Sequence, residues 1–144
     1  MKHFLSALLF LIVLGQSGNS QIIGKIIDKQ PTLTANRDVM IQNLEKTLKK
    51  HLSISPKFNS AEIITNSGNY YIVFKGSEYT TKLPLEVKKG NLVASAISCT
   101  TKSCASTSGC TPDFLGRSCS ACDGGDCLKV TSSFQLGDVT VISN

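Results

Sequence analysis

The chain has 144 residues, 41% of them apolar and 17% charged, with a formal net charge of +5 and no Trp. That length supports one domain with a modest core. The charge argues against nucleic-acid binding, because the lysines form no basic stripe and no stacking aromatics accompany them.

Residues 1–20 read as an export signal. Met1-Lys2-His3 is a short positive start, and Phe4 to Leu14 is apolar apart from Ser6. The run falls short of the roughly 20 apolar residues that span a bilayer. It fits the apolar region of a secretory signal peptide, with Gly18 and Ser20 as small residues ahead of a cut before Gln21. Removing the signal takes away one charged residue, Lys2, and lowers the net charge from +5 to +4. No second apolar run suits a transmembrane helix. The expectation is a secreted or periplasmic protein with no stable membrane insertion after cleavage. The absence of any Asn-x-Ser/Thr sequon fits a bacterial source.

Ile22 to Ile27 is a short apolar piece that suits a strand or an extra helical turn. Thr34 is the expected N-cap of an amphipathic helix at about 35–52, with Asp38 near its positive end. Ile41, Leu44, Leu48 and Leu52 recur at helical spacing and form its apolar stripe. Pro56 ends the segment. Residues from about 61 to 98 then read as four antiparallel strands. Asn66-Ser67-Gly68-Asn69, Gly76-Ser77 and Lys88-Lys89-Gly90-Asn91 are the turns between them. Pro84 lies inside the third strand and marks an edge or a bulge. The fourth, Leu92 to Ser98, delivers Cys99. Leu128 to Thr131 and Asp138 to Ile142 read as two short strands of a β tail.

The predicted fold class is α+β. One helix packs on an antiparallel four-stranded, or larger, meander sheet, followed by a cysteine-rich module and the tail. The expected divisions are a signal at 1–20, an α+β domain at 21–98, a cysteine-rich module at 99–127 and a β tail at 128–144. The helix-then-meander order over residues 35–98 is similar to that of cystatin-like folds. The similarity is one of topology. The inhibitory Gln-x-Val-x-Gly loop is absent, and protease inhibition is not implied.

All six cysteines are confined to one segment: Cys99, Cys104, Cys110, Cys119, Cys122 and Cys127. That segment has few apolar side chains beyond Phe114 and Leu115, so cross-links or a metal must order it. An even count in an exported chain favours three disulfides, in any of fifteen pairings. Metal binding is the alternative, with Cys104, Cys110, Cys119 and Cys122 as ligands of zinc or an iron–sulfur cluster. Cys119-x2-Cys122 is the one close pair of the zinc type, and no second pair mirrors it. The order Cys119-x2-Cys122-x4-Cys127 is the reverse of the plant ferredoxin pattern. A redox pair at Cys119 and Cys122 would call for a helix after the motif, yet Asp123-Gly124-Gly125-Asp126 is a turn sequence.

No catalytic residues can be named. His51 is the only histidine left after signal removal, and it lies among lysines at the helix end. No G-x-S-x-G elbow is present. Asp123 and Asp126 lack the ligand spacing of a calcium loop. The sequence therefore points to a non-enzymatic module, without cofactor, that binds an extracellular or periplasmic protein partner.

Overall fold

The computed structural model describes residues 21–107, 109–113, 117–120, 122, 126–131 and 136. The expected export signal, Phe114 and Leu115, Asp123-Gly124-Gly125 and the expected strand Asp138 to Ile142 lie outside the described residues. Ten strands and one helix are described: β1 (Ile22–Ile27), β2 (Gln30–Leu33), α1 (Arg37–Leu52), β3 (Phe58–Asn66), β4 (Asn69–Gly76) and β5 (Thr80–Lys88) come first. β6 (Asn91–Ala94), β7 (Ile97–Thr101), β8 (Thr111–Pro112), β9 (Cys119–Ser120) and β10 (Leu128–Thr131) follow.

Three hairpins are built alike. Ile27–Gln30, Asn66–Asn69 and Lys88–Asn91 close two-residue turns. Both central residues of each turn have positive φ: Asp28 49° and Lys29 63°, Ser67 50° and Gly68 79°, Lys89 52° and Gly90 78°. That is the turn whose twist matches the twist of paired strands. The first hairpin settles Ile22–Ile27 as a strand.

The helix begins two residues later than expected. Its N-cap is Asn36, not Thr34: the Asn36 side chain accepts from the amides of Asp38 at 3.0 Å and Val39 at 3.1 Å. Lys49, Lys50 and His51 occupy the last turn, where the helix dipole favours positive charge. Glu45 ties the helix to the sheet, accepting from the Phe58 amide and from Lys57 Nζ, both at 2.9 Å.

Among the described residues the main sheet has eight strands, all paired antiparallel, of which a four-stranded meander would be only a part. β3, β4 and β5 form the predicted meander. The expected fourth strand is split. β6 pairs with β5 up to Leu85–Ala94, and β7 resumes at Lys82–Cys99. The register slips by two residues in between, at Ser95 and Ala96. Pro84 sits opposite this slip. Its carbonyl accepts from the Ser95 amide at 3.0 Å, and its missing N–H faces the same irregular edge. The bend forks the sheet: β6 goes on to pair with β1, then β2, whereas β7 pairs with β10. β2 returns beside β3, so the larger branch nearly closes into a barrel. Gly24 marks that closure. A Cβ there would lie 2.5 Å from the Thr32 carbonyl and 3.1 Å from Ile63 of β3.

One core joins helix and sheet. Met40, Ile41, Leu44 and Leu48 pack with Phe58, Ile72, Phe74, Leu83, Leu85, Leu92 and Val130. Alternation along the strands assigns these residues to one face. No helix among the described residues is long and apolar enough to cross a membrane.

Candidate functional site

The opposite face of the same sheet carries the unusual chemistry. The residues between the core positions are Tyr71 and Val73 on β4, Thr80, Lys82 and Pro84 on β5, and Ile97, Cys99 and Thr101 on β7. All are buried. The cysteine-rich segment meets this face at Thr80, Lys82, Cys99 and Thr101, and its strand β8 lies against β5 and β7. The sheet is thus a middle layer, with α1 on one side and the cysteine-rich module on the other.

Three disulfides hold the module: Cys99–Cys119, Cys104–Cys122 and Cys110–Cys127. First pairs with fourth, second with fifth and third with sixth. The Cα separations are 5.8, 6.3 and 6.1 Å, within the usual bridge range. Each bridge has one buried and one half-buried end. Cys99, Cys104 and Cys110 are buried, whereas Cys119, Cys122 and Cys127 are half-buried. The second half of the segment is therefore laid over the first and pinned three times. Cys99 sits in the middle of β7, so one bridge fastens the module directly to the sheet. The C-x2-C pair is divided: Cys119 and Cys122 belong to different bridges.

Polar contacts complete the seam. Thr80 Oγ1 donates to the Ala105 carbonyl at 2.7 Å, and Lys82 Nζ donates to Thr111 Oγ1 at 3.0 Å. The Thr101 hydroxyl lies 3.5 Å from Cys104 Sγ and 3.8 Å from Cys122 Sγ. Gly109 passes so close that a Cβ would come within 2.8 Å of Thr80 Cγ2, and its φ is +70°. Glycine satisfies both demands. In the outer loop, the Asp113 carboxylate accepts from the Arg117 and Ser118 amides at 2.8 and 3.1 Å. Ser103 Oγ donates to Asp126 at 2.6 Å and holds its carboxyl below the usual range.

Lys82 is the residue that sequence reasoning missed. It is 1% exposed and forms no ion pair with a described residue. Its ammonium lies 5.5 Å from the Tyr71 ring centre, a cation–π distance. Burial, helped by the positive charge of Lys75, pushes its pKa down. The alternation Thr80-Lys82-Pro84 was visible, but it suits a wet sheet face equally well. Burial of the face depends on contacts with distant segments, such as that of Lys82 with Thr111.

The predicted metal set is not gathered at one point. Among the described residues, the three sulfurs that converge are those of Cys110, Cys122 and Cys127, within 4.8 Å of one another. Cys110 and Cys122 belong to the predicted set, Cys127 does not, and all three are bridged. His51 is exposed in the last turn of α1. Ile22, Lys88, Lys89, Asn91 and Val93 line an open groove. Compared with known proteins, the chain matches no family model, no curated protein and no solved structure.

Proposed function

We propose that this is a small secreted or periplasmic, non-enzymatic binding module whose cysteine-rich loops present a fixed surface to a protein partner. The observation that carries the reading is the one-inside, one-outside pattern of the three bridges. It turns a segment with few apolar residues into a rigid outer layer on the sheet. A preorganised surface loses less conformational entropy on binding than a mobile loop does. Disulfides of this density belong to oxidising compartments, which agrees with the export signal.

The test is the intact mass of the protein exported by its native route, under native and denaturing non-reducing conditions. The expected denatured mass begins at Gln21 and is six hydrogens lighter than the reduced chain, with no metal in the native species. Six free thiols with added metal mass would overturn the proposal.

A second reading, metal binding, is supported by the convergence of Cys110, Cys122 and Cys127. Zinc–sulfur bonds of about 2.3 Å place tetrahedral thiolates at similar mutual distances. This reading needs the reduced module, so the same mass measurement separates the two.

A further inference from the structure

Two of the bridges abut. Cys122 Sγ, bonded to Cys104, lies within 4.8 Å of both sulfurs of the Cys110–Cys127 bridge. Thiol–disulfide exchange needs a thiolate beside a disulfide, with access for the reductant. Cys122 is half-buried, whereas its partner Cys104 is buried, and once released from Cys104 it would be a thiolate beside a disulfide.

We propose that these two bridges form a thiol–disulfide relay, with Cys122 as the entry sulfur for an external dithiol and Cys110–Cys127 as the internal acceptor. In the first step one thiolate of the dithiol attacks Cys122 Sγ, and Cys104 leaves with the electron pair and takes up a proton. The second thiolate of the reductant closes the reductant's own disulfide, and Cys122 is released as a thiolate. The dithiol is oxidised by two electrons and the Cys104–Cys122 bridge is reduced. In the second step the Cys122 thiolate attacks Cys110 Sγ. The Cys110–Cys127 bond breaks, and Cys127 leaves with the electron pair and is protonated. That step is redox-neutral. Access decides the first step, because Cys104 is buried and only Cys122 can be attacked from outside. In the second, both sulfurs of the acceptor bridge lie near Cys122, and Cys127 is the better leaving group because it is half-buried while a Cys110 thiolate would be poorly solvated. The product holds a Cys110–Cys122 bridge, with Cys104 and Cys127 as free thiols.

The exchange has a structural output. Cys127 directly precedes β10, which pairs with β7 and lies against α1. Releasing Cys127 detaches this edge strand from the module while Cys99–Cys119 keeps the module on the sheet. The reduction state of one bridge is thereby passed to the edge of the sheet. The relay rests on the bridged form proposed above.

The test uses the full chain with Cys104→Ser, which leaves Cys122 without its partner and needs no reductant. Free thiols are alkylated after an acid quench and located by peptide mass mapping. The expected result is a shift of the label from Cys122 to Cys127, together with a Cys110–Cys122 linked peptide. Label retained on Cys122, with Cys110–Cys127 intact, would overturn the relay. A helix circular dichroism signal equal to that of the native protein reports that the variant is folded. If the variant does not fold, brief reduction of the native protein with limiting dithiothreitol gives the same information. Free Cys104 with Cys127 supports the relay, and free Cys104 with Cys122 overturns it. A native protein without disulfides would instead remove the proposed function itself.

Discussion

Val73 and Phe74 are neighbours on β4, yet they face two different interiors. Phe74 points into the core shared with α1, 6.0 Å from the Phe58 ring, on the face that also holds the paired Thr81 and Thr100 hydroxyls. Val73 points to the opposite face, in register with Lys82 and Cys99. The first interior is held by apolar area removed from water. The second sets the Lys82 ammonium and the Thr80 and Thr101 hydroxyls beside the buried Tyr71, Val73 and Ile97. Its cover is fixed covalently instead. Apolar packing suffices where a regular helix supplies a stripe of large side chains. Cross-links substitute for it where the covering segment has no periodicity to offer.

The contrast can be broken most sharply from the helix side. Phe74→Ala should cost about 3–5 kcal/mol, because it removes a fully buried ring and leaves a cavity. Urea unfolding followed by helix circular dichroism checks this. Replacing Cys99 and Cys119 together by Ala should cost about 3 kcal/mol, by restoring freedom to the unfolded chain across a separation of 20 residues. Here amide exchange should quicken in β8 and β9 while α1 keeps its protection. Equal loosening of both would show that the faces are not independent.

Lys82→Met sharpens the comparison in the opposite direction. It exchanges a buried cation for an apolar chain of similar length and should be neutral or stabilising by about 1 kcal/mol. Its pH signature is more telling. Because the folded state depresses the Lys82 pKa, the unfolded chain binds this proton more tightly. The site's contribution to stability therefore rises with pH, from the folded pKa up to the ordinary value of about 10.4. Unfolding midpoints of wild type should show that rise, and Lys82→Met should lack it. The smallest effect is expected of Ser103→Ala. Without the hydroxyl donor, the Asp126 carboxyl should return upward towards about 3.9, as read by carboxyl NMR titration. Asp126 favours the folded state above that value and loses its contribution as pH falls through the lower, folded one.

The sequence was most readable where information is local. Ile41, Leu44, Leu48 and Leu52 declared the helix because one face repeats every three or four residues. Ser67-Gly68 and Lys89-Gly90 declared their turns because glycine tolerates positive φ. Asp28-Lys29 forms the same kind of turn without glycine, which is why the first hairpin stayed ambiguous. Thr34 resembled a cap as much as Asn36 does, and only the hydrogen bonds distinguish them. Pro84 was correctly flagged as an irregularity, but the two-residue slip it faces depends on which strands take the neighbouring edges. The cysteine pairing and the covered face of β5 depend on contacts between distant segments, and no local pattern encodes those.

The slip at Ser95 and Ala96 also bears on the order of folding. β3 to β7 are joined by short connections and can pair as soon as they are made. β1 cannot take its place beside β6 until the chain has been made as far as Asn91–Ala94, because Ile22 pairs with Val93. β10 waits in turn for β7. Contacts between distant segments carry a larger loop-closure cost and form late. The bent β6–β7 strand is thus the template on which both outlying segments converge, and β1, although made before β6, is among the last of the described strands to dock.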